Sequence, residues 1–284
     1  MRDIAAYYGM SYRAGLKKAT LHSRFSELRF VIDKRESLIN TVTVHLSRAP
    51  VLWKREIVLS EGDFRLLLEP LLRPKAMPQR QVKRIMLDPG HGGTDRGASG
   101  KRYHEKDIVL QLCNKAARML RAKGYIVGMT RRNDTTLKLS QRTALAKQWK
   151  ADLFVSVHAN SSASTSVKGI ETFLVTRQGN TSTYGSKIRK HACPGNRFDI
   201  YNTRVAYEIQ KALVKNTGGV DRGIKHAQFL VLRNAPCPAV LIETGFISNV
   251  AEETALGSAT HQDKLVSGLV NGILAYQRAV SNEQ

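Results

Sequence analysis

Three stretches that have the composition of strands each lead into a residue that can bind a metal or move a proton. They are residues 84–88 before His91, residues 152–157 before His158, and residues 239–243, which end at Glu243. Glu105, which opens a predicted helix after a glycine-containing loop, is a fourth candidate. Functional groups in open α/β sheets collect where strands end. We therefore expect the four side chains to meet at one edge of a sheet.

The residue types suggest a hydrolytic metal centre. Two histidines and one carboxylate form a common catalytic zinc set, which leaves a fourth position for water. Zinc lowers the pKa of that water to about 7 and so supplies a nucleophile at neutral pH. A further carboxylate must take the proton of the water and pass it to the leaving amine. Glu243 is the best candidate for that role, because the end of its strand should face the same crevice.

Each of these residues also has a structural interpretation. A histidine at a strand end is commonly a hydrogen-bonded structural residue, and His104 is a rival ligand beside Glu105. Glu105 could instead be an acidic residue favoured at a helix N-terminus by the helix dipole. Glu243 could pair with one of the many arginines. Residue types and spacing alone therefore leave the metal site open.

Strands alternate with helices from residue 83 onwards. This order predicts an α/β domain with a mostly parallel, twisted sheet flanked by helices. The predicted helices are 106–123, 139–150, 202–216 and 260–278, and the further strands are 125–130, 171–176 and 229–232. Cys113 falls in the apolar pattern of the first helix and is predicted to be buried, whereas a bridge between Cys193 and Cys237 stays open.

Residues 1–75 have the pattern of a small α+β domain placed before the α/β domain. Its predicted elements are strands at 28–33, 41–46 and 54–59, a helix cap at residues 60–63 and a helix at 64–72. The stretch RPKAMPQRQ, residues 73–81, is polar and basic and contains two prolines, which is typical of a linker. The sequence therefore predicts three parts: residues 1–75, the linker 76–82 and the α/β domain 83–284.

Four motifs carry a family resemblance, and they occur in one order along residues 83 to 280. They are LDPGHGGTDRGASG, HEKD, FVSVHAN and PAVLIETGFISN. In this combination the chain resembles the N-acetylmuramoyl-L-alanine amidases of the Amidase_3 type. The resemblance implies a zinc-peptidase-like catalytic domain with His91, Glu105 and His158 as ligands of one Zn²⁺ ion. It also implies Glu243 as the catalytic glutamate.

The resemblance implies a substrate and a location as well. Members of this family cut the amide between the lactyl group of N-acetylmuramic acid and L-alanine in peptidoglycan. The expected roles are cell-wall remodelling, daughter-cell separation in cell division, or lysis, in the periplasm or outside the cell. Residues 1–75 resemble small domains that precede such catalytic domains, and wall binding or positioning is the role expected of them. No secretory signal pattern is visible in the first residues.

Some family members carry a long helical insertion that covers the zinc until an activator protein moves it. Here only about 28 polar, loop-rich residues separate Phe173 from Asn202. We therefore expect an open site, and an activator remains unknown. Arg142 is expected to form an ion pair or pack, whereas Arg222 and Lys225 could contact substrate carboxylates or could be solvated surface charges.

The chain is strongly basic, with 45 Lys and Arg against 23 Asp and Glu and a formal net charge of +22. Such a charge indicates a polyanionic partner. Charge alone leaves nucleic acid, an envelope polymer and an anionic membrane surface open. Nucleic-acid-binding motifs are absent from the sequence, and the family resemblance implies peptidoglycan as the partner. No apolar run reaches the roughly 18 residues of a membrane span. Two weaker hypotheses are an inactive wall-binding or activator protein with this fold and a nucleic-acid-binding protein.

Overall fold

The computed structural model describes residues 1–281, in which an eleven-stranded sheet and a separate hairpin are surrounded by helices. The strands are β1 (Ser11–Ala14), β2 (Lys18–His22), β3 (Glu27–Val31), β4 (Glu36–Ile39), β5 (Val42–His45), β6 (Val51–Trp53), β7 (Glu56–Val58), β8 (Arg84–Pro89), β9 (Ile126–Met129), β10 (Leu153–Asn160), β11 (Ile170–Val175), β12 (Asp221–Ala227) and β13 (Ala239–Phe246). Strands β6 and β7 form the hairpin.

The helices lie mostly in the second part of the chain. They are α1 (Arg2–Tyr7), α2 (Glu61–Asp63), α3 (Glu69–Leu72), α4 (Glu105–Ala122), α5 (Leu139–Gln148), α6 (Asp199–Thr217), α7 (Leu230–Arg233), α8 (Val250–Leu256) and α9 (Ala259–Val280). A π-helical turn, Phe64–Leu68, joins α2 to α3. Within residues 1–281, every helix is too short or too polar to cross a bilayer.

The sheet of the second part is mostly parallel, as predicted. Its strand order is β12-β11-β13-β10-β8-β9, and only the β11–β13 pair is antiparallel within it. Strands β10 and β13 are buried almost throughout, which is why they appear in the sequence as continuous apolar runs. Since β8, β10 and β13 are parallel neighbours, their carboxyl ends meet at one edge of the sheet.

The N-terminal strands β1 to β5 form an antiparallel meander with alternating buried and exposed residues. Strand β5 pairs in parallel with β12 at Val44 and Ile224, so the sheet continues from the N-terminal part into the second part. The backbone N–H of Val82 donates to Gln277 of α9 (2.8 Å), so the segment 76–82 lies against that helix. The division into residues 1–75, 76–82 and 83–284 stays a prediction.

Two details of the predicted elements differ. The predicted strand at 229–232 is wrong: Leu230–Arg233 is a helix, and its buried Val231 and Leu232 pack in a small apolar cluster. A four-residue apolar run cannot distinguish a buried strand from a helical turn. The strand that precedes this helix is β12, whose sequence DRGIKHA is too polar to be recognised as a strand.

Helices α6 and α9 pack closely against each other. A Cβ atom at Gly272 would lie 2.6 Å from the Cα atom of Ile209, so only glycine permits this approach. Cys113 is buried in α4, as predicted. Cys193 and Cys237 are both free thiols.

Candidate metal centre

His91, Glu105 and His158 come together at the carboxyl edge of the sheet. One ligand atom from each residue lies within 4.8 Å of the others. Glu105 is central, because His91 Nε2 lies 3.1 Å from its Oε2 and His158 Nδ1 lies 2.8 Å from its Oε1. Among residues 1–281 no other trio of His, Cys, Asp or Glu converges in this way.

The loop after β8 is shaped to present His91. His91 has a φ of 57°, a left-handed conformation that is uncommon outside glycine. Arg142 of α5 donates to the His91 carbonyl (2.6 Å), and Asp95 contacts His91 Nδ1 (2.9 Å). At Gly90 a Cβ atom would lie 2.3 Å from the His158 ring. The small residues of this motif therefore make room for the ligand side chains themselves.

Glu105 is fixed as a carboxylate by hydrogen bonds at both oxygens. The backbone N–H of Ala98 donates to Oε2 (2.8 Å), and that of Ala159 donates to Oε1 (3.0 Å). Burial raises the pKa of Glu105, but hydrogen bonds to His158 and His91 outweigh it and hold that pKa well below its usual range. His104, the rival ligand, instead bonds Ser99 Oγ through Nδ1 (2.9 Å) and lies outside the trio.

Glu243 lies on β13 directly beside His158 of β10. It is buried, and its Oε2 has no hydrogen-bond partner among residues 1–281. Burial, followed by the negative charges of Glu105 and Glu171, raises the pKa of Glu243 well above its ordinary value. Glu243 and the trio line one cavity of about 390 Å³. Because the Glu243 side chain lines this cavity, its carboxyl group can exchange a proton with a molecule bound there.

A buried ion pair between Arg142 and Asp88 lies beside the strand ends that carry the trio. Arg142 Nη1 donates to Asp88 Oδ1 (2.8 Å), and Thr130 and Ser156 donate their hydroxyls to the same carboxylate. Arg142 therefore forms the expected ion pair. Arg142 also donates to the His91 carbonyl, so the ion pair is connected to the loop after β8 that carries His91.

The donor set fits a zinc ion. Imidazole nitrogen and carboxylate oxygen are its usual partners, and the three atoms converge with room for a fourth ligand from the cavity. His91 bonds Asp95 through its other ring nitrogen, an arrangement that fixes the tautomer of metal-binding histidines. The convergence of the trio agrees with the sequence prediction, whereas their role as zinc ligands stays a prediction.

Residues 85–275 match one known family. The family model described as N-acetylmuramoyl-L-alanine amidase, Amidase_3, matches residues 85–275. The chain belongs to this family. LytC of Bacillus subtilis, an N-acetylmuramoyl-L-alanine amidase, is 32% identical over 277 residues, which cover 95% of this chain and 49% of LytC. AmiC of Escherichia coli O6:H1, another such amidase, is 35% identical over 217 residues, covering 68% and 52% of the two chains.

Solved structures of Amidase_3 members agree with the fold. The catalytic domain of CwlV from Bacillus (Paenibacillus) polymyxa has a TM-score of 0.59 at 33% identity and covers 69% of this chain and 99% of that domain. An amidase from Clostridium difficile 630 has a TM-score of 0.59 at 32% identity and covers 70% and 98%. The chain spans about half the length of LytC and AmiC.

Beside the candidate metal centre of this Amidase_3 member, Arg222 and Lys225 form a charge cluster with Glu171, a residue that the sequence analysis did not select. Glu171 of β11 is buried, and Lys225 Nζ donates to its Oε1 (2.6 Å). Arg222 Nε donates to the same oxygen. Lys225 is only 2% exposed, so it is not a solvated surface charge. The one available signal was a lone carboxylate in the apolar run IETFLV, and nothing in the sequence identified its partners.

Proposed function

We propose that the chain is a zinc-dependent N-acetylmuramoyl-L-alanine amidase that hydrolyses the amide between the lactyl group of N-acetylmuramic acid and L-alanine in peptidoglycan. The observation that carries this proposal is the convergence of His91, Glu105 and His158 in one cavity with Glu243, which has an unpartnered oxygen. Membership of the Amidase_3 family supports the choice of substrate.

The three ligands would hold one Zn²⁺, which supplies Lewis acidity and lowers the pKa of a bound water. Glu243 takes a proton from the attacking water and delivers it to the leaving amine. Its position suits this, because the Glu243 side chain lines the same cavity as the three candidate ligands. Asp95 and the N–H groups of Ala98 and Ala159 hold the ligands in place meanwhile.

The net charge of the chain and the loop-rich segment 176–198 also bear on this proposal. A formal net charge of +22 would concentrate the enzyme on an anionic wall, and salt should weaken that attraction. The segment 176–198 contains only the short 3₁₀ helix Pro194–Phe198 and no long covering helix. We therefore propose an open site, an envelope location, and roles in wall remodelling, daughter-cell separation or lysis.

The test is digestion of purified peptidoglycan by the zinc-loaded wild type and by Glu243→Gln, with mass spectrometry of the released peptides. Free L-alanine N-termini should appear with the wild type and fall by about 10²–10⁴-fold in the variant. Glu61→Gln, at an exposed position far along the chain, serves as the matched control and should cleave like the wild type. Equal release by Glu243→Gln and wild type would exclude Glu243 as the proton carrier.

Two further outcomes bear on the alternatives. An inactive wall-binding protein would bind sacculi and release no peptide, even with zinc present. A lag in activity that an added extract protein relieves would contradict the open site.

A further inference from the structure

A second cavity, of about 630 Å³, adjoins the metal centre on the other side of Glu243. We propose that it is a subsite for a carboxylate on the leaving peptide, with Arg222 as the residue that contacts that carboxylate. This inference rests on the proposed function, since it names the part of the substrate that the second cavity receives.

The position of Glu243 tells which side of the scissile amide each cavity serves. Glu243 and Asn160 line both cavities, whereas His91, Glu105 and His158 line only the first. A residue that protonates the leaving amine must lie next to the nitrogen. The space that continues past Glu243, away from the metal ligands, is therefore the space into which the chain attached to that nitrogen extends.

The charge of the second cavity is suited to an anion. Glu171 faces Glu243 across neighbouring strands and is bound by two cations, Lys225 and Arg222, so this cluster carries one excess positive charge. Glu252 is the other carboxylate near Arg222. It accepts hydrogen bonds from the backbone N–H groups of Gly169 and Phe246. A peptide carboxylate would therefore meet two cations that share the carboxylate of Glu171, with Glu252 as the further acidic group near Arg222.

Arg222 is the cation that a ligand can reach. Lys225 is 2% exposed and its ammonium group is enclosed by Glu171 and the Tyr184 hydroxyl, whereas the Arg222 side chain is 30% exposed. Its guanidinium lies over the Phe246 ring, 5.0 Å from the centroid, and is oriented by the bond from Nε to Glu171. A guanidinium held at Nε still has N–H donors on its two terminal nitrogens, which match the two oxygens of a carboxylate.

Tyr184 adds a wall that is open to solvent. It is 69% exposed and lies at the mouth of the second cavity, with its hydroxyl bonded to Lys225. Tyr184 also contacts Lys225 and Arg222, so it forms the wall of the second cavity beside the two cations.

The test uses two disaccharide–peptide substrates that differ only in the second amino acid, D-glutamate with a free α-carboxylate or its α-amide. The wild type should show about a tenfold lower KM for the carboxylate substrate, the size expected of one charge-assisted hydrogen bond. In Arg222→Gln this preference should fall to near one, because the cation that distinguishes the acid from the amide is lost. Arg222→Lys should keep part of the preference, and Arg65→Gln, an exposed arginine elsewhere, should keep all of it.

Binding of the product dipeptides, L-alanyl-D-glutamate and its α-amide, measured calorimetrically on the zinc-loaded protein, gives a readout that needs no turnover. Tighter binding of the free acid by wild type but not by Arg222→Gln, with unchanged melting temperature, supports the subsite. Equal KM values and equal affinities for acid and amide in the wild type would overturn it. If the wild type cleaves neither substrate yet still prefers the free acid, the proposed function fails while the anion subsite stands.

Discussion

Two buried aspartate–arginine pairs hold two different regions of the molecule. At the metal edge, which is formed by the carboxyl ends of β8, β10 and β13, Asp88 pairs with Arg142 (2.8 Å). At the junction, where residues 46–66 meet residues 176–182 and β12, Asp63 pairs with Arg177 (3.4 Å). The first pair contacts the loop that carries His91, and the second joins the N-terminal part to the rest of the chain.

The junction is built around both members of its pair. Arg177 Nη2 donates to the Leu66 carbonyl (2.8 Å), and Asp63 accepts from the backbone N–H of Ser47 (2.8 Å). Arg35 reaches across to the Ser182 carbonyl (3.0 Å), on the loop that also carries Tyr184. The N-terminal part therefore positions a loop beside the second cavity, in addition to any wall binding proposed for it.

The two regions differ in the residues that the arginine of each ion pair contacts. Arg142 bonds the His91 carbonyl, so its loss should disturb a metal ligand as well as stability. Arg177 contacts no metal-edge residue among its hydrogen bonds, so its loss should affect stability alone. A buried aspartate–arginine pair thus orients the loop of a candidate ligand in one region and joins two parts of the chain in the other.

The largest effect should come from removing the central ligand. Glu105→Ala deletes the carboxylate that contacts both histidines. Zinc content should fall from one per chain to near zero, and peptidoglycan cleavage should fall by at least about 10³-fold, because several kcal/mol of metal catalysis are lost. Elemental analysis after dialysis and a peptide-release assay measure the two quantities. A variant that keeps its zinc would contradict the ligand assignment.

Arg142→Leu and Arg177→Leu compare the two pairs directly. Each leaves a buried aspartate without its cation and should lower the free energy of unfolding by about 3–5 kcal/mol. Arg142→Leu should in addition weaken zinc binding by about 10–100-fold, as loss of a supporting contact does. Urea unfolding of the metal-free proteins and a competitive chelator titration check both effects.

Equal zinc affinities in the two variants would remove the distinction between the regions. Asp88→Asn and Asp63→Asn, which keep the shape of each carboxylate, are the matched partners. Asp88→Asn should weaken zinc binding more than Asp63→Asn does, since Asp88 fixes Arg142 and Asp63 fixes Arg177.

The two regions also differ in how far the sequence predicts them. The convergence of side chains at the metal edge could be predicted because each candidate ligand follows its own apolar strand or opens its own helix, and parallel strands bring those ends together. The partners of Asp63 and Glu171 could not, because Arg177 lies 114 residues from Asp63 and Arg222 lies 51 residues from Glu171. Apolar periodicity predicts which face of a strand is buried and contains no signal about which distant charge will meet it.

His226 should make the junction sensitive to acid. Burial, assisted by the positive charge of Arg177, lowers the pKa of His226 to about 3. The folded state therefore binds fewer protons than the unfolded state between about pH 3 and 6.5, and stability is lost as pH falls through that window. His226→Gln should remove up to about 1.4 kcal/mol per pH unit from the slope of unfolding free energy between about pH 6 and 4.

Urea unfolding at a series of pH values measures that slope, and the difference between variant and wild type cancels the contribution of other groups. His22→Gln, at an exposed position of β2, is the control and should leave the slope unchanged. Parallel stability curves for His226→Gln and wild type would show that this histidine is not the source of the acid sensitivity.

The smallest effect should come from the contact that orients the loop. Arg35→Ala removes donors to the carbonyls of Leu46 (2.6 Å) and Ser182 (3.0 Å), and the half-buried position limits the loss to about 1–2 kcal/mol. Because the loop carries Tyr184 to the second cavity, KM for peptidoglycan fragments should rise by about two- to fivefold with kcat unchanged. Steady-state kinetics and thermal unfolding check this, with Arg65→Ala on the solvent side as a control that should change stability by less than about 0.5 kcal/mol. A loss of stability without a change in KM would show that the junction fastens the N-terminal part and does not position the loop.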